Sequence, residues 1–80
     1  MRFRFTGDTT RLDVGHCFHL IIHGDGKPRG KPAQFRSFRV IGPDAEGVVA
    51  EETTLRIDEG SPMFEASSMV EPVRITKARR

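Results

Sequence analysis

The chain is built from short alternations of apolar and polar residues. Arg2-Phe3-Arg4-Phe5-Thr6 sets Phe3 and Phe5 on one side of an extended backbone and Arg2 and Arg4 on the other, which is the two-residue period of a half-buried strand. Leu12 to His23 continues the pattern over a longer run. There Leu12, Val14, Phe18, Leu20 and Ile22 form the core face, and Cys17, His19, Ile21 and His23 the outer one. Gly15 inside that run predicts a bulge or a close backbone approach. Gln34 to Ile41 is rich in strand-forming residues, but Phe35 and Phe38 are three apart and cannot share a face on a regular strand. Either a bulge intervenes or Phe35 packs outside the core. Val48 to Asp58 offers Val49, Leu55 and Ile57 to one face, and Val73 to Thr76 alternates as a last strand.

Turn residues punctuate these runs. Gly7-Asp8-Thr9-Thr10, the stretch His23 to Pro32, Gly42 to Gly47 and Glu59-Gly60-Ser61-Pro62 all combine Gly, Pro, Asp or Ser, residues whose backbone preferences favour turns over ladders. Ser61-Pro62 ahead of Met63 to Glu71 reads as the start of a short helix over 61–70, with Ser61 as cap and Pro62 in the first helical position. The sum is a mostly β, single-domain chain over residues 1–80. It is expected to fold as a small antiparallel barrel or sandwich of about five strands, with at most one short helix near 61–70. Its size suits barrels of the SH3-like or OB-like kind. The two end strands, 2–6 and 73–76, either pair with each other inside the domain, the preferred reading, or complete the sheet of a neighbour.

Composition narrows the functional classes. Eighty residues lie near the lower limit for burying a self-sufficient core, so a large catalytic cleft is not expected. Cys17 is the one cysteine, which rules out an internal disulfide and fits a reducing compartment. No stretch approaches the roughly 20 apolar residues of a membrane span, and the opening Met1 to Asp8 has no apolar leader core. The expected setting is cytoplasmic or within a virus particle. Net charge is +2, but residues 1–40 carry eight cations against Asp8, Asp13 and Asp25, whereas residues 41–80 carry five against eight acids. If the halves occupied separate surfaces, one face would be basic and another acidic.

Three further features could carry chemistry. Cys17 and His19 point the same way on a strand, about 7 Å apart at their α-carbons, yet a closed zinc site needs two more ligands and no second cysteine exists. Cys17 as a nucleophile lacks an electropositive pocket and an oriented base in the sequence pattern. No recognised catalytic motif is present, and the neighbouring acids Glu51-Glu52 point apart on a strand. No enzyme activity, metal, cofactor or small-molecule substrate is expected. The stretch His23-Gly-Asp-Gly-Lys-Pro-Arg-Gly-Lys-Pro32 aligns Lys27, Arg29 and Lys31, and with Phe35, Arg36, Phe38 and Arg39 it makes a basic strip with interleaved aromatic rings. Such a strip suits an acidic protein surface, or phosphates with stacked bases, and it equally reads as a solvated hairpin turn.

The expectation is therefore a non-enzymatic module that binds another protein or assembles with itself through edge strands and this strip. A phage-type accessory protein, whether assembly or decoration subunit or inhibitor of host machinery, fits the size and composition. The alternative is a small β-barrel that binds single-stranded nucleic acid through residues 27–39.

Overall fold

A computed structural model describes residues 1–23, 34–54 and 61–78, the side chains of 77 and 78 excepted. The described residues contain seven strands and no helix: β1 (Arg2–Gly7), β2 (Cys17–Ile22), β3 (Gln34–Asp44), β4 (Gly47–Thr53), β5 (Met63–Ala66), β6 (Val73–Ile75) and β7 (Lys77–Ala78). They form one sheet in the order β6-β1-β4-β3-β2-β5-β7. β6 and β7 are a single extended stretch interrupted at Thr76. The stretch runs parallel to β1, with Phe5 opposite Val73, and then antiparallel to β5, with Glu65 opposite Lys77. Thr76 joins the two halves, since its amide and its hydroxyl both donate to the Glu65 carbonyl, at 2.8 and 3.1 Å. One short segment thus docks on both edges of a five-stranded sheet and nearly closes it into a small barrel.

Alternation explains the filling. Phe3 and Phe5 from β1, Phe18, Leu20 and Ile22 from β2, Phe38 and Val40 from β3, Ala50 from β4, Phe64 and Ala66 from β5, and Val73 and Ile75 from β6 all point inward and are buried. The interior is aromatic. Phe5 lies 5.0 Å from Phe38 and 5.4 Å from Phe18 between ring centroids, both edge-on, and Phe64 meets Phe18 edge-on at 5.8 Å. Edge-to-face contact brings the positive rim of one ring to the negative face of the next, so a small barrel is filled without polar atoms.

The two mouths are closed differently. Where β1 ends, residues 8–16 cross towards β2 and drop Leu12 into the core. This crossing is tied to β3 by the Gly15 amide on the Val40 carbonyl and the Val40 amide on the His16 carbonyl, both at 2.9 Å. Gly15 turns there with φ +84°, a left-handed conformation that glycine takes without a Cβ penalty. At the opposite mouth Arg36 and Glu52 turn inward from β3 and β4 and join by two hydrogen bonds of 2.8 and 2.6 Å. The guanidinium rests 5.3 Å above the Phe3 ring and 5.8 Å from that of Phe38, so its charge meets two aromatic faces as well as a carboxylate.

The expected barrel is found, with several differences. The sheet is mixed, because β1 pairs with β6 and β2 with β5 in parallel. Met63 to Ala66 is a strand, not the start of a helix over 61–70: Phe64 and Ala66 alternate inward with Met63 and Glu65 outward, and the edge of β2 supplies their ladder. Tertiary pairing overrides a weak local cap signal. Residues 12–16 are loop, so Leu12 reaches the core from a crossing while Val14 is exposed. In β4 the inward residues are Val48, Ala50 and Glu52, one position off the face predicted through Val49. Leu55 and Ile57 lie outside the described residues. The irregularity falls on β3 between Val40 and Gly42, not at Gly15. The Gly42–Gly47 turn shrinks to Ala45-Glu46, with Asp44 opposite Gly47. The end strands pair within the one chain, as preferred.

Candidate functional site

The predicted basic strip divides when it folds. β3 is paired on both sides, by β2 and by β4, and its residues obey the two-residue period from Gln34 to Val40. Phe38 is completely buried and belongs to the core, so it is not a partner contact. Arg36 shares that inward face and is held by Glu52. Phe35 and Arg39 point outward. Phe35 is 68% exposed, whereas the other five phenylalanines are buried. This resolves the three-residue spacing, since Phe35 packs outside the core with no bulge between it and Phe38. Lys27, Arg29 and Lys31 lie outside the described residues.

Around Phe35 the outer surface is set by strand register. Ile21 of β2 lies directly opposite, and Glu65 of β5 faces Ile21 from the other side. Ile21 points away from the aromatic interior and is only 6% exposed. The sequence pattern put Ile21 on the outer face but did not mark it as a neighbour of Phe35; an apolar residue at an outward position was the available signal. His23 bonds Glu65 at 2.9 Å, and the His19 ring meets the Ser37 hydroxyl at 3.3 Å. Each histidine therefore cross-links β2 to a neighbouring strand. Cys17 and His19 do share the outer face, with Arg39 and Ser37 as their partners across β3. No group of three His, Cys, Asp or Glu side chains among the described residues is placed to hold a metal ion.

The charge asymmetry between the halves does not become two charged faces among the described residues. The strand order interleaves the halves, setting β4 between β1 and β3. Arg4 consequently binds Asp44 at 2.9 Å and Glu46 at 3.3 Å, Arg36 binds Glu52, and Arg2 approaches Glu51 at 3.9 Å. The Glu46 amide and then the Arg4 guanidinium hold the Asp44 carboxyl below its ordinary range. The Arg36 hydrogen bonds do the same for Glu52. Six arginine side chains are described, against eight carboxylates. The chain's excess of positive charge therefore sits in the other residues, Lys27, Arg29 and Lys31 among them.

One concavity of about 300 Å³ opens near the Leu12 crossing. Arg11, Asp13, His16 and Cys17 line its rim, with Phe18 and Val40 at its floor. Compared with family models, with characterised proteins and with solved structures, the chain matches none.

Proposed function

We propose that this chain is a non-enzymatic β module that works through its outer surface, binding a protein partner or further copies of itself, with Phe35 as the anchor. The observation that supports this reading is the placement of the six phenylalanines. Five fill the barrel, and the sixth stands exposed near the start of β3, opposite Ile21 and four residues before the outward Arg39. Aromatic rings are enriched at the centres of protein interfaces. A folding requirement does not explain an exposed Phe35, because its side chain is outside the core cluster.

Contact through an open end strand is not part of this mechanism, since both end strands pair within the chain. What remains is docking on the outer face of β2 and β3. Nucleic-acid binding is the competing reading. It has less support, because Phe38 and Arg36 turn inward and leave a single stacking ring where several are usual. Native mass spectrometry of the wild type and of Phe35→Asp, with and without nuclease, separates the readings. The proposed function gives a defined multiple of the chain mass, or a stoichiometric protein complex, that survives nuclease and is lost in Phe35→Asp. Extra mass removed by nuclease and retained in Phe35→Asp would overturn it in favour of nucleic acid.

A further inference from the structure

β1 is held differently along its length. Phe5 to Gly7 is paired on both sides, by β4 and by β6. Arg2 to Arg4 is paired with β4 alone among the described residues, because the β6 ladder starts at Val73 opposite Phe5. In an antiparallel pair, alternate amides point to the partner strand and the others point away. The Arg4 amide is one that points away, and it donates to the Glu71 carboxylate at 3.0 Å. That carboxylate occupies the place a neighbouring strand's carbonyl would take. A groove of about 220 Å³ runs along this half of the strand, lined by Arg2, Phe3, Arg4, Val49 and Glu71.

We infer that Glu71 is an edge guard: it keeps the lower half of β1 from adding a strand from a second copy of this chain. An exposed edge offers unpaired N–H and C=O groups to any extended segment, and proteins protect such edges with charged side chains directed at them. Glu71 does so in two ways. It satisfies the Arg4 amide, which with that of Arg2 faces this edge, and it places a carboxylate in the path of an incoming backbone carbonyl. A strand entering here must break the Arg4–Glu71 bond and desolvate the Glu71 charge. A second β1 would also bring its own Arg2 and Arg4 against these arginines, so the guard and like-charge repulsion act together. This inference is independent of docking at Phe35, which lies on β3.

The test is sedimentation velocity across a hundredfold range of concentration, on the wild type, Glu71→Ala and Glu71→Gln. Glu71→Ala is expected to add a concentration-dependent species of twice the wild-type mass, while Glu71→Gln, which keeps an acceptor for the Arg4 amide, holds the wild-type pattern. A folded Glu71→Ala that sediments as the wild type at every concentration would overturn the inference. If Glu71→Ala fails to fold, amide exchange of the wild type decides: the guard requires the Arg4 amide to exchange at least tenfold more slowly than the Arg2 amide on the same edge. Equal exchange at the two positions overturns it.

Discussion

Phe35 and Phe38 stand three residues apart on one strand and meet opposite environments. Phe38 touches Phe3, Phe5 and Phe18 at the centre of the barrel, and Phe35 faces outward across from Ile21. The same contrast runs through the two faces of β2 and β3. Inside are Phe18, Leu20, Phe38 and Val40, with no described polar residue buried among them. Outside are Cys17, His19, Ser37 and Arg39. The comparison teaches that aromatic content by itself does not mark a binding surface in so small a barrel. The interior needs nearly all of it, and a ring that the interior does not take is the informative one.

The largest expected effect comes from the inner member. Phe38→Ala removes a ring that contacts three others, and the packed neighbours can only partly close the cavity. The expected loss is about 3–5 kcal/mol of folding stability, read as a shift in the urea midpoint. For a domain of this length that is a large part of the whole. A loss under about 1 kcal/mol would mean that the interior is loosely packed and the contrast between the faces is overdrawn.

How much of this was legible follows the same divide. Strict alternation placed Phe3, Phe5, Phe18, Leu20 and Ile22 correctly, because each lies in a short strand whose period survives folding. It failed where pairing decides. Met63 to Glu71 follows Ser61 and Pro62, a local helix signal, and pairing with β2 and β7 makes Met63 to Ala66 a strand. The slip in β4 has a related cause: Val48 and Val49 are equally apolar, and the register against β1, with Phe3 opposite Ala50, selects the face. The basic strip looks continuous in sequence because Arg36 and Arg39 are alike there. Their separation depends on Glu52, a residue sixteen positions away that draws Arg36 inward. The charge polarity of the two halves likewise dissolved because the strand order alternates them, which no local pattern reveals.

The Arg36–Glu52 pair is a polar element of the inner face, and it should make an intermediate contribution. Its sign with pH follows from the lowered folded pKa of Glu52, caused first by the Arg36 hydrogen bond. A depressed carboxylate contributes stability that is complete above its unfolded value of 4.5 and is lost as pH falls through the lower folded value. Wild-type melting temperature should therefore drop on acidification from pH 4.5 towards the folded value more steeply than that of Glu52→Gln, which cannot titrate. At neutral pH Glu52→Gln should cost about 1–2 kcal/mol, the lower part of the range for a charged hydrogen bond, because a third of the side chain remains in water. Parallel acid limbs in the two proteins would show that the mouth is held by the rings alone.

The smallest expected effect on stability is at Phe35. Its ring is mostly in water and outside the core cluster, so Phe35→Ala should change folding free energy by no more than about 0.5 kcal/mol. It loses little burial and some β-propensity, and removing exposed apolar surface offsets part of that. The same substitution should weaken association with the partner, or with other copies, at least tenfold, as truncation of an interface anchor does. The ratio of the two effects is what separates a binding residue from a structural one. If Phe35→Ala costs several kcal/mol of stability, the ring is folded under neighbouring chain and its exposure is not the sign of an anchor. If stability and association are both unchanged, the outer face of β2 and β3 is only the solvated side of the barrel.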